Sequence, residues 1–145
     1  MELIKQTKFG ECLAACVAML TGTSLSDAKG EMEDLLDKDG QSYYPLSEAI
    51  KYLAKYGQCY GMAIKPSVSR IGPKVAVFDI SFRLDICNAI LTVPSSTRED
   101  VLHVVVFDKE RRMVLDPLKD EPQPLEDYGI DEWVAVYDVR EGTIS

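Results

Sequence analysis

One histidine and four cysteines set the limits on nucleophilic chemistry in this chain, and Cys12 is the cysteine best placed to react. It opens the apolar run Cys12-Leu13-Ala14-Ala15-Cys16-Val17-Ala18-Met19-Leu20, which is rich in good helix formers and predicts a buried helix. At the first turn of such a helix, unpaired backbone N–H groups and the helix dipole stabilise a thiolate. An imidazolium beside it would complete an ion pair near neutral pH. Cys16 lies one turn further in on the same face, has less of that field, and reads as core. Glu11 opposes a thiolate by like charge if it is close, and only weakly if it points to solvent. Gln6 precedes this helix in the loop Gln6-Thr7-Lys8-Phe9-Gly10-Glu11. Its side-chain amide, with the Cys12 backbone N–H, could bind the oxyanion of a tetrahedral intermediate.

The base has to be His103. It stands in a strand-like run, Val101-Leu102-His103-Val104-Val105-Val106-Phe107, which Arg112-Met113-Val114-Leu115-Asp116 follows closely. A turn centred between Lys109 and Glu110 would pair Phe107 with Arg112, Val105 with Val114 and His103 with Asp116. Directly opposed residues carry their Cβ atoms about 4.5–5.5 Å apart on one face of a sheet. A loop of odd length would turn one partner to the other face. A carboxylate in that position accepts a hydrogen bond from one ring nitrogen, fixes the tautomer, and leaves the other nitrogen for the nucleophile. It also raises the histidine pKa.

These residues need elements to hold them. After the first helix comes Gly22 as a C-terminal cap, then Ser24-Leu25-Ser26-Asp27 as caps for a second helix running to about Leu36. The acidic run from Glu31 to Asp39 reads as a solvated helix face. A turn follows at 38–42, and Pro45 introduces a third helix, Leu46 to Tyr56, which Gly57 closes. The second half is strand-like: 59–64, 75–78, 89–93 ended by Pro94, 101–107, 112–115, and 133–137, the last closing the sheet. Residues 79–88 fit either a strand or a helical turn. Helices first and strands second predict an α+β domain, helices packed beside a mainly antiparallel sheet. A single domain of 1–145 is expected, with a helical half to about residue 57 and a sheet half from about 58.

Gln6 six positions before Cys12 at a helix start, His103 at a strand start, and Asp116-Pro117 together resemble the papain-like cysteine peptidases. The similarity is greatest to the bacteriocin-processing branch, which cuts double-glycine leader peptides, and to its stand-alone relatives. It extends over almost the whole chain, including the late Glu132-Trp133-Val134 strand. The resemblance implies a papain-like fold, Gln6 as oxyanion-hole residue, Asp116 as the third triad member, and a peptide or protein substrate. It departs from the family pattern at Leu13, where those peptidases usually carry glycine after the cysteine. Many relatives also sit on a membrane transporter, and no spanning segment stands in this sequence.

Composition narrows the alternatives. Of 145 residues, 24 are acidic and 16 basic, giving a formal net charge of −8. Such a chain offers no electrostatic footprint for nucleic acid or for anionic membranes. The charged N-terminus lacks a signal-peptide core, so a cytoplasmic location is expected. The cysteine spacings 12, 16, 59 and 87 match no common zinc pattern, and no metal or cofactor is expected. Cys59 and Cys87 read as core, and the tyrosines at 43 and 44 as packing or cleft lining. Cleft walls are expected from loops 38–44, 66–74 and 94–100. Three functions fit: a cysteine hydrolase, or its acyl-transferring variant; a catalytically silent papain-like domain that binds a peptide or partner; and a structural α+β protein in which the four residues do not converge.

Overall fold

The computed structural model describes residues 1–60, 87–95 and 102–138, with the side chains of 59, 60, 137 and 138 left out. The expected strand at 75–78, the ambiguous segment 79–86, residues 61–64 and 101 of two further expected strands, and the cleft loops 66–74 and 96–100 lie outside the described residues.

Helix α1 spans Cys12–Thr21. Its side chains from Leu13 to Leu20 are all buried, as an all-round apolar helix requires. Gly22 ends it in the left-handed region, φ 73°, with the Thr23 N–H on the Ala18 carbonyl at 3.1 Å. Ser24 caps α2 through a reciprocal pair with Asp27. This helix stops at Glu31, short of the expected Leu36. Met32 is extended and buried, and the next N–H, of Glu33, goes to the Glu48 carboxylate at 2.9 Å. The chain is thereby drawn onto the third helix. The acidic run beyond residue 31 is therefore no helix face. It enters a small hairpin, β1 (Leu35–Leu36) and β2 (Ser42–Tyr43), turned by Asp37, whose Oδ1 accepts from the Asp39 and Gln41 N–H groups. Helix α3 then spans Leu46–Lys55 behind Pro45.

Among the described residues, five antiparallel strands form the main sheet: β3 (Gln58–Tyr60), β4 (Asn88–Pro94), β5 (Leu102–Asp108), β6 (Met113–Leu115) and β7 (Glu132–Asp138). Their spatial order is β3-β7-β4-β5-β6. The last strand does not lie at an edge; it sits between β3 and β4 and pairs with both. Both faces are covered. Ile90, Val106, Leu115, Val134 and Val136 pack with the helices, while Leu91, Val105, Phe107, Val114 and Trp133 pack with Leu125 and Ile130 of the segment following β6.

The β5–β6 hairpin differs from expectation by two residues. Phe107 faces Val114 and Val106 faces Leu115. The loop has four residues centred between Glu110 and Arg111. The Asp108 carbonyl takes the Arg112 N–H at 2.8 Å, its Oδ1 takes the Glu110 N–H at 3.1 Å, and Arg112 closes the loop at φ 56°. Asp108 therefore starts the turn one position later than the pattern of apolar residues suggests. A shift of two keeps every side chain on its expected face, so His103 and Asp116 become diagonal neighbours instead of direct partners.

Candidate active site

His103 enters from the second position of β5, and only 8% of it is exposed. Its Nε2 donates to Asp116 Oδ1 at 2.8 Å. Asp116, 3% exposed, follows β6 and accepts two further bonds: the Leu118 N–H on Oδ1 at 2.9 Å and the Tyr128 hydroxyl on Oδ2 at 2.7 Å. Burial opposes charge on both groups, but mutual pairing wins. The Asp116 carboxyl is held below its ordinary value despite desolvation, by His103, the Leu118 amide and Tyr128. Burial would lower the His103 pKa; the hydrogen bonds to Asp116 and Cys12 raise it to about 9. The same carboxylate, together with burial, raises the Tyr128 hydroxyl, which stays a donor.

With Nε2 spent on Asp116, the ring nitrogen left for Cys12 is Nδ1, and Cys12 and His103 line the same cleft. Cys12 is half-buried at the first position of α1. Cys16 is fully buried, its thiol against the Val104 carbonyl at 3.5 Å, and desolvation pushes it well above an ordinary thiol. It belongs to the core, as does Cys87.

Gln6 lines the same cleft as Cys12 and His103. Its backbone N–H donates to the Pro117 carbonyl at 3.0 Å, which ties the loop before α1 to the loop carrying Asp116. Its Nε2 donates to the Lys8 carbonyl at 3.0 Å, and its Oε1 is buried with no hydrogen-bond partner. A primary amide nitrogen carries two hydrogens, so one remains beyond the bond to Lys8. Glu11 does not point to solvent. Glu11 is 2% exposed, and its charge is neutralised by the Lys29 ammonium on Oε2. Its Oε1 accepts from the Thr7 N–H at 2.8 Å, the Thr7 hydroxyl at 2.7 Å and the Lys8 N–H at 3.1 Å. Tyr128 and Lys29 are the polar residues that sequence reasoning missed. No short spacing links Tyr128 to Asp116 or Lys29 to Glu11, so no local signal announces them.

The cleft holds about 510 Å³. Beside the polar groups it is lined by Phe9, Leu13, Tyr43, Tyr44, Leu102 and Leu118. Phe9, Tyr43, Leu102 and Leu118 are exposed, so the lining is largely apolar. Leu13 is buried and forms part of that wall next to Cys12. A smaller cavity of about 330 Å³ opens on the Asp116 and Tyr128 side, and His103 borders both.

One solved structure is similar over nearly the full length: a double glycine motif protease from an AMS/PCAT transporter, in complex with the leader peptide. It shares 17% identity with a TM-score of 0.55, covering 93% of this chain and 89% of that one. The fold is papain-like. No family model and no curated protein matches the sequence. In this papain-like chain the helical part supplies Cys12 and the sheet part supplies His103 and Asp116. Among the described residues, no helix is long and apolar enough to cross a membrane, and no group of three or more His, Cys, Asp or Glu could hold a metal ion.

Proposed function

We propose that this chain is a cysteine hydrolase, a peptidase or amidase, working as one cytoplasmic domain on a peptide or protein without a metal or cofactor. The reading is carried by one observation: His103, bonded to Asp116 at 2.8 Å, lines the same apolar cleft as Cys12, the makings of a relay. The papain-like fold supports it, and so does the leader peptide bound by the similar protease.

The relay performs the reaction in two halves. The Cys12 thiolate attacks the scissile carbonyl carbon, forming an S–C bond and placing the electron pair on oxygen. The Cys12 backbone N–H and the Gln6 amide hold that oxyanion. His103, protonated at neutral pH by virtue of its raised pKa, gives its proton to the departing amine as the C–N bond breaks. The thioester left on Cys12 is then hydrolysed by a water whose proton passes to His103. Asp116 keeps the imidazole in its tautomer and stabilises its charged form throughout. An amine replacing that water would make the same centre an acyl transferase.

A second reading, a silent papain-like module that binds a peptide, draws on two observations. Gln6 spends one donor on Lys8, and Leu13 narrows the cleft beside Cys12. Mixing the protein with p-nitrophenyl acetate separates the two. A hydrolase releases a burst of p-nitrophenolate and carries acetyl on Cys12; a silent module gives neither, and the hydrolase reading then fails.

A further inference from the structure

Glu11 takes no part in the steps above, yet it is the charged side chain nearest to Cys12 in sequence and among the most buried in the molecule. A buried carboxylate is costly unless donors surround it. At an N-cap position the side chain normally accepts from the first turn of its own helix. Glu11 makes no such bond. It turns backward instead and gathers the N–H groups of Thr7 and Lys8 and the Thr7 hydroxyl on one oxygen, with Lys29 of α2 on the other. Lys8 in turn offers its carbonyl to Gln6 Nε2 at 3.0 Å. The chain of contacts therefore runs from Lys29 to Glu11, to the backbone of residues 7 and 8, and to the Gln6 amide that lines the cleft with Cys12. Gly10 permits the reversal. It sits at φ +90°, so close to the Ser42 carbonyl that an added Cβ would lie 1.9 Å from that oxygen.

We propose that Glu11 is a positioning residue, which sets the Gln6 amide as an oxyanion donor by fixing the loop between Gln6 and Cys12. The proposal rests on the reading of Cys12 as a nucleophile with Gln6 as its oxyanion partner. Burial opposes ionisation of Glu11, but Lys29, Thr7 and Lys8 hold its carboxyl at about 2, so the brace stays charged across the neutral range and is constitutive.

Two probes of Cys12 distinguish positioning from stability. Alkylation by iodoacetamide is a displacement at carbon that forms no oxyanion. Acylation by p-nitrophenyl acetate passes through a tetrahedral oxyanion before p-nitrophenolate leaves. In Glu11→Gln the acylation burst should slow by about 10- to 100-fold, the scale of a misplaced catalytic group. Alkylation, which forms no oxyanion, should stay within about threefold of wild type. Equal burst rates in variant and wild type would overturn the proposal, and so would a parallel loss of both reactions. If Glu11→Gln does not fold, Thr7→Val decides: it removes one hydroxyl donor and should slow the burst by about fivefold with alkylation unchanged, the scale of one net hydrogen bond. An unchanged burst in Thr7→Val would then count against Glu11. A wild type that neither bursts nor alkylates quickly would sink the hydrolase reading itself, a separate result.

Discussion

Two buried carboxylates flank the cleft, and their surroundings differ. Asp116 bonds to His103, to the Leu118 amide and to Tyr128, all within the β5–β6 hairpin and the segment after it. Glu11 bonds to Thr7, Lys8 and Lys29, which join the loop before α1 to α2. Asp116 faces a group whose proton comes and goes as the proposed reaction proceeds. Glu11 faces backbone amides, a hydroxyl and an ammonium that do not titrate in the neutral range. The first carboxylate therefore governs where a proton resides, and the second governs where a loop resides. Near-complete burial is common to both, so burial alone does not distinguish a chemical role from a mechanical one.

The contrast breaks most severely at Asp116→Asn. The shape is kept, but the amide can no longer stabilise an imidazolium. Acylation of Cys12 by p-nitrophenyl acetate should fall by about 10³- to 10⁴-fold. The pH dependence of stability should change with it. Pairing raises His103 from 6.5 to about 9 in the folded state, so it contributes fully below about pH 6.5 and is lost as pH rises through about 9. The depressed carboxyl of Asp116 contributes above its ordinary 3.8 and is lost as pH falls below it. Thermal melts of wild type should therefore decline between pH 6.5 and 9, and the asparagine variant should be flatter over that window. A variant melt that declines as steeply as wild type would count against the pairing.

Gln6→Ala tests the other corner. Removing one oxyanion donor should slow acylation by about 100- to 1000-fold while iodoacetamide labelling of Cys12 changes little. Equal loss in both reactions would mean that Gln6 serves the fold, not the oxyanion. Next in size is Gly10→Ala. A Cβ cannot stand 1.9 Å from the Ser42 carbonyl oxygen, so the loop before α1 or the β1–β2 hairpin has to move. Chemical denaturation should record a loss of about 2–3 kcal/mol, from strain at positive φ together with the lost contact. The smallest effect is expected at Tyr128→Phe. It withdraws one donor from Asp116 Oδ2 and should cost about 1.5 kcal/mol in stability, with acylation slowed by about tenfold.

How far the sequence discloses this arrangement depends on the range of the interactions involved. The pairing of His103 with Asp116 is legible because a sheet repeats every two residues, so any even-length loop puts both on one face. Its register is not, because Asp108 captures the turn with its own carboxylate and carbonyl, which the hydrophobic pattern does not record. Helix α1 and its Gly22 cap are legible from composition and a glycine in the right place. The end of α2 is not, since it depends on Glu48 reaching back from α3 to the Glu33 N–H. The place of β7 between β3 and β4 is likewise set by pairings between distant segments. The role of Glu11 hides for the same reason. Beside an apolar helix a glutamate ordinarily reads as solvated, and only α2, packed alongside, supplies the lysine that lets it stay buried.

The most direct test of the central claim is the pH profile of iodoacetamide labelling, mapped to individual cysteines, for wild type and His103→Ala. The account predicts selective labelling of Cys12 that collapses in the variant, with the buried Cys16 unreactive in both. Slow labelling that follows an ordinary thiol titration near pH 8.5, identical with and without His103, would contradict the thiolate–imidazolium pair and leave a papain-like fold without its chemistry.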